Sequence, residues 1–118
     1  HLSSVEYVSN TRPIPSSKTD IIVATALAGE QLGLRLIYLE AGSGADNSIP
    51  NEMVKAVSDQ CSIPIIVGGG IRNPRTAREK VVNGASIIVT GNFFEDENNW
   101  DLIRDFASAV HVKQSILV

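Results

Sequence analysis

Leu34-Arg35-Leu36-Ile37-Tyr38-Leu39-Glu40-Ala41-Gly42-Ser43-Gly44-Ala45 passes from a short, almost uninterrupted apolar segment straight into a glycine-rich turn. An apolar run of this length is how a strand covered on both faces of a parallel sheet reads. The pattern returns twice: Ile63-Pro64-Ile65-Ile66-Val67 stops at Gly68-Gly69-Gly70, and Ala85-Ser86-Ile87-Ile88-Val89-Thr90 stops at Gly91-Asn92. Parallel strands are therefore expected at about 35–40, 63–67 and 85–90, with helical signals between them. Pro50 is placed to open one helix, carrying Met53, Val54 and Val57. Asn73 caps, Pro74 starts and Gly84 closes another, containing Ala77, Val81 and Val82.

Upstream of the first strand, Ser16 or Ser17 is expected to cap a helix with an apolar stripe of Ile21, Ala24, Ala28 and Leu32, stopped by Gly33. Before it, Val5 to Pro15 reads as a short extended piece running into a loop. Downstream, the spacing predicts a helix over about 97–109 with Trp100, Ile103, Phe106 and Val110 on one side. The fold class is α/β, built of consecutive strand-loop-helix units. Three such strands cannot close a barrel, and a complete (β/α)8 barrel takes roughly 200 to 250 residues. With 118 residues starting at His1 rather than Met, the chain reads as one partial barrel domain, 1–118, whose other half lies elsewhere.

Composition narrows the partners. Ten Lys and Arg against thirteen Asp and Glu give a formal net charge of −3, and the basic residues are scattered, so a nucleic-acid footprint is not expected. No apolar run approaches the roughly 18 residues that span a bilayer. Cys61 is the single cysteine, which rules out an intrachain disulfide and a thiolate metal cluster and fits a cytoplasmic protein. His1 and His111 have no second ligand at metal-binding spacing. Asp46, Glu95, Asp96 and Glu97 read as loop charges, any of which could help hold a cation if the site is open.

The chemistry is expected at the C-terminal ends of the three strands, where parallel barrels bind substrate. Gly68-Gly69-Gly70 could be a tight strand-to-helix turn. It could also be an anion cradle, in which bare backbone N–H groups and the following helix N-terminus face a phosphate. Gly91-Asn92 repeats the pattern on the next strand, and two adjacent anion-binding turns are the usual phosphate arrangement of TIM barrels. Tyr38 and Glu40, two residues apart on one strand, share a face. A phenol and a carboxylate beside a phosphate grip suit a polyol phosphate, one anchoring an oxygen and the other accepting a hydroxyl proton. Ser43 is open between phosphate donor and loop cap, and Arg72 between phosphate helper and solvated surface charge. Trp100, Leu102 and Phe106 read as helix packing.

The block Tyr38 to Ala45, followed in order by Ile65-Ile66-Val67-Gly68-Gly69-Gly70-Ile71-Arg72 and Ile88-Val89-Thr90-Gly91-Asn92, resembles the geranylgeranylglyceryl phosphate synthase family of archaeal type. The resemblance implies the C-terminal half of a TIM (β/α)8 barrel. It implies magnesium-dependent transfer of a geranylgeranyl group from its diphosphate to the 3-hydroxyl of sn-glycerol 1-phosphate, releasing pyrophosphate in ether-lipid synthesis. Carried over by position, Tyr38, Leu39, Glu40, Ala41, Gly42, Ser43, Gly44, Gly69, Gly70, Gly91 and Asn92 would hold sn-glycerol 1-phosphate, with Glu40 as general base. The Mg2+ ligands and most of the prenyl groove would lie in the N-terminal half of the same barrel, and a homo-oligomer is expected. Two alternatives stand beside it: a phosphate-binding TIM-barrel isomerase or cyclase, and a non-catalytic phosphate-binding half-barrel.

Overall fold

The computed structural model describes residues 3–111, so His1, Leu2 and the last seven residues lie outside the described residues. Helix α1 (Ser4–Ser9) is followed by α2 (Thr19–Gln31), β1 (Ile37–Glu40), α3 (Asn51–Gln60), β2 (Ile65–Gly68), α4 (Pro74–Val82) and β3 (Ile87–Val89). Two 3-10 turns (Asn92–Phe94 and Glu97–Leu102) then lead into α5 (Ile103–Val110). The strands form one parallel sheet in the order β1-β2-β3. This is the α/β arrangement expected from the three apolar runs, each strand trimmed to the residues that carry the ladder.

Alternation along the strands divides the sheet. Leu39, Ile65 and Val67 point to the helix-covered face, where they join Ile22 and Ala26 of α2, Met53, Val54 and Val57 of α3, Ala77 of α4 and Phe106 of α5 in one core. The opposite face carries two rows in register: Tyr38, Ile66 and Ile87, then Glu40, Gly68 and Val89. Tyr38 is 50% exposed, Ile87 45% and Val89 37%, so this concave face is apolar and open. Leu36 just before β1 is 51% exposed.

Several local expectations are corrected. Val5 to Ser9 is helical rather than extended: the Ser3 hydroxyl accepts from the Glu6 amide while the Glu6 carboxylate accepts from the Ser3 amide, a reciprocal cap that starts α1. Neither Ser16 nor Ser17 caps α2, which begins after Lys18 without a side-chain cap. Its buried residues are Ile22 and Ala26, whereas Ile21 and Leu32 are exposed. A helix with alanines and aliphatics on most faces offers several stripes, and contact with α3 selects one. Pro50 is the residue before α3, not its first. The predicted terminal helix is 3-10 from Glu97 to Leu102, begun by the Asp96 carboxylate on the Asn98 amide, and Trp100 and Ile103 face outward while Phe106 is buried. Phe93, Phe94 and Phe106 pack together at centroid distances of 5.1 to 5.5 Å, fixing the chain after β3 against α5.

Polar ties hold the helices in place. The Lys80 ammonium is buried and donates to Asn51 Oδ1 at 2.6 Å, while Asn51 Nδ2 donates to Glu79 Oε2 at 3.2 Å, joining the first turn of α3 to α4. Burial pushes the Lys80 amine below its ordinary value, opposed by the Glu79 and Glu52 charges. At the other end of the sheet, the Ser62 amide and hydroxyl both donate to the Glu30 carboxylate, pinning the C-terminus of α2 to the entry of β2.

Candidate active-site cleft

The glycine turns after β1, β2 and β3 meet along one edge of the open face around a cleft of about 610 Å³. Tyr38, Glu40, Gly42, Ser43, Gly44, Gly69, Gly70, Gly91 and Asn92 line it, so nine of the eleven positions read from sequence come together. The other two differ. Leu39 turns its side chain to the opposite face, 8% exposed in the core, as alternation along β1 requires. Ala41 does not line the cleft, and its amide donates to the Gly68 carbonyl at 3.1 Å, extending the β1–β2 pairing by one bond. Any contact these two make with a ligand would run through the backbone.

Tyr38 and Glu40 share the open face, with Tyr38 Oη and Glu40 Oε2 both beside Gly68. Hydrogen bonding toward the Glu40 carboxylate, with burial and the carboxylate's charge behind it, pushes the Tyr38 phenol up to about 12. Tyr38 is thus a neutral O–H donor at any physiological pH. The Glu40 carboxylate also accepts from the Gly42 amide at 2.7 Å through Oε1, which turns the start of the glycine loop around it. The space for this pair comes from β2. A Cβ on Gly68 would lie 2.5 Å from Tyr38 Oη and 3.0 Å from Glu40 Oε2, and one on Gly69 would lie 2.6 Å from Glu40 Oε1 and 2.7 Å from the Gly42 carbonyl. Gly70 has φ of +68°, and a Cβ there would meet the Asn47 and Ser48 backbone at 2.8 Å. The glycine triplet is therefore where the first loop lies on the second, and a β-carbon at any of its three positions collides.

On the third strand, a Cβ on Gly91 would meet nothing within 4 Å, so its backbone opens onto the cleft. The Asn92 amide nitrogen lies within 3.3 Å of where a Cβ on Gly44 would stand, bringing the first and third turns to one place. Three turns rich in backbone N–H groups, a neutral phenol and a carboxylate make a cleft able to grip a small phosphorylated polyol and take a proton from one of its hydroxyls.

The structure adds residues that the sequence reading passed over. Val5 of α1, Ile71, Val89, Thr90, Phe93, Asp96 and Asn99 also line the cleft. Asp96 keeps one oxygen occupied by the Asn98 amide and side chain, and the Asn99 side chain donates to the Phe93 carbonyl at 2.7 Å. The Ser3-to-Glu6 capping spacing was a visible signal for α1. Ile71 reaches the cleft from the turn after β2, Val89 from β3 itself, and Thr90, Phe93, Asp96 and Asn99 through the course of the chain after β3. Arg72 is exposed and also lines the cleft, and its guanidinium donates to backbone carbonyls of the first loop, a role the sequence reading did not include.

Comparison with known proteins agrees with this geometry. A family described as the PcrB family matches residues 2–110. The chain is 48% identical over 115 residues to the geranylgeranylglyceryl phosphate synthase of Chitinophaga pinensis, covering 98% of this chain and 45% of that protein. It is 44% identical over 107 residues to the enzyme of that name from Pyrococcus horikoshii, covering 91% of this chain and 42% of that protein. Such relatives include bacteria, so archaeal origin does not follow from the resemblance. In structure it is similar to (S)-3-O-geranylgeranylglyceryl phosphate synthase from Thermoplasma acidophilum, solved in complex with substrate sn-glycerol-1-phosphate. The TM-score is 0.82 at 30% identity, covering 91% of this chain and 44% of that one. The chain thus spans less than half the length of these relatives, and its three strands are part of a barrel.

Proposed function

From the premise that this chain belongs to the PcrB family, we propose that the protein carrying it is a prenyltransferase joining a prenyl diphosphate to the 3-hydroxyl of sn-glycerol 1-phosphate. The observation that carries this reading is the Tyr38–Glu40 pair held at the junction of three glycine turns. The phosphate lies on the turns formed by Ser43-Gly44, Gly69-Gly70 and Gly91-Asn92. Glu40 accepts from the Gly42 amide and lies beside Tyr38, so its direction is set before substrate arrives. As the glycerol oxygen forms its bond to the allylic carbon and the carbon–oxygen bond to diphosphate breaks, the hydroxyl proton passes to the Glu40 carboxylate. Tyr38, kept protonated, serves as a donor to a substrate oxygen and does not compete as a base.

Among the described residues no three His, Cys, Asp or Glu side chains converge. In this proposal the ligands of Mg2+, which would neutralise the departing diphosphate, come from outside this chain, together with most of the prenyl groove and the strands that complete the barrel. The geranylgeranyl donor, assembly as a homo-oligomer and a cytoplasmic setting belong to the same proposal. No helix among the described residues is long and apolar enough to cross a membrane.

The test is incubation of the full-length protein with sn-glycerol 1-phosphate, magnesium and a series of prenyl diphosphates. A prenyl ether product and released pyrophosphate are expected. Absence of product at every chain length would remove the synthase reading.

A further inference from the structure

Arg72 stands at the foot of the β2–α4 turn and reaches across to the β1–α3 loop. Its Nη2 donates to the Ala45 carbonyl at 2.9 Å and the Gly44 carbonyl at 3.2 Å, and Nη1 approaches the Asp46 carbonyl at 3.5 Å. These three consecutive carbonyls follow a turn closed by the Ala45 amide on the Gly42 carbonyl at 3.1 Å. Ser43 and Gly44 are the central residues of that turn, and both line the cleft. Gly44 has φ of +69°, the conformation that the third position of a type II turn demands.

We propose that Arg72, which itself lines the cleft, is a positioning residue that sets the glycine loop for phosphate. The inference rests on the glycerol phosphate reading above. Residues 41–48 contain two glycines and no regular structure, so ordering them on substrate would consume binding free energy. Arg72 meets that cost in advance. One planar guanidinium ties down successive carbonyls, removes their partial negative charge from the neighbourhood of an incoming anion, and leaves the turn at Ser43-Gly44 facing the cleft. The interlock of Gly70 with Asn47 and Ser48 supports the far end of the same loop. Lysine offers a point charge without the fork and cannot span the same carbonyls.

The experiment uses the full-length protein. In Arg72→Ala, KM for sn-glycerol 1-phosphate is expected to rise about 10- to 100-fold while kcat falls much less and KM for the prenyl diphosphate stays within about twofold. Arg72→Lys should restore only part of the loss, and millimolar guanidinium ion should partly rescue the alanine variant. Amide hydrogen exchange without substrate gives a readout independent of the reaction: exchange across residues 42–47 should accelerate in Arg72→Ala, with β2 unchanged. Faster exchange with no phosphate-dependent activity in any variant would sink the prenyltransferase reading while leaving the loop role intact. Unchanged exchange in this segment, or an unchanged KM in an active, folded Arg72→Ala protein, overturns the proposal.

Discussion

Gly68→Ala isolates what the open face of the sheet does for the site. Gly68 stands between Glu40 and Val89 in the row across the three strands, and its φ lies outside the range that disfavours side chains. The backbone therefore accepts alanine, which on its own stabilises by about 0.4–1 kcal/mol through the unfolded chain. The new methyl, however, would lie 2.5 Å from Tyr38 Oη, 3.0 Å from Glu40 Oε2 and 3.1 Å from Tyr38 Cε2. Ordinary contact begins near 3.4 Å, so the phenol must retreat by about 0.9 Å. The pair lies on the face that the remaining strands of the barrel would close over, so the overpacking cost is about 1–3 kcal/mol, offset in part by the gain through the unfolded chain. Their alignment does not survive the move: a displacement of this size is expected to lower kcat/KM by about 10²-fold. Steady-state kinetics and thermal unfolding on the same full-length variant check both halves. A Gly68→Ala protein with kcat/KM within about threefold of the parent would refute the claim that the empty space at Gly68 orients the pair.

Glu40→Gln keeps the shape and removes the base, so turnover should drop by about 10²-fold or more in a product-release assay; near-normal turnover would leave the carboxylate a structural role. The Tyr38 phenol should titrate near 12, followed as tyrosinate absorbance in a Tyr7→Phe background. Because folding raises this value above the ordinary 10, its stabilising contribution is complete below pH 10 and is lost as pH rises towards 12. Removing the bond with Glu40→Gln should bring the titration down, and an unmoved curve would deny that bond. Gly70→Val combines a φ of +68° with backbone atoms 2.8 Å from the new Cβ. It should lose roughly 2–4 kcal/mol of stability by denaturant unfolding and weaken glycerol phosphate binding, and unchanged affinity would take this turn out of the site.

What the sequence made legible follows from the range over which each feature is determined. The three strands and their glycine stops are local, since an apolar run and the residue that ends it are neighbours in the chain, and they bring Tyr38, Glu40 and the three turns to one cleft. The face of α2 was not local. Ile21 and Ile22 are equally apolar, and only packing against α3 decides that Ile22 is inside. Leu39 was assigned to the site with its neighbours, although the two-residue period that pairs Tyr38 with Glu40 turns Leu39 away. Arg72 depends on carbonyls 26 to 28 residues earlier, bonds for which no side-chain pattern exists. Helix α1 is readable from the spacing of Ser3 and Glu6, whereas Pro13 and Pro15 point the same stretch towards a loop.

The strand order β1-β2-β3 matches the order of synthesis, and among the described residues each strand pairs with its chain neighbours. Each pairing closes a crossover through a single helix, and β2 can dock on β1 before β3 has been made. Assembly during translation can therefore advance one strand and helix at a time, with the Glu40–Gly68 contact formed before Gly91 and Asn92 arrive to complete the anion grip.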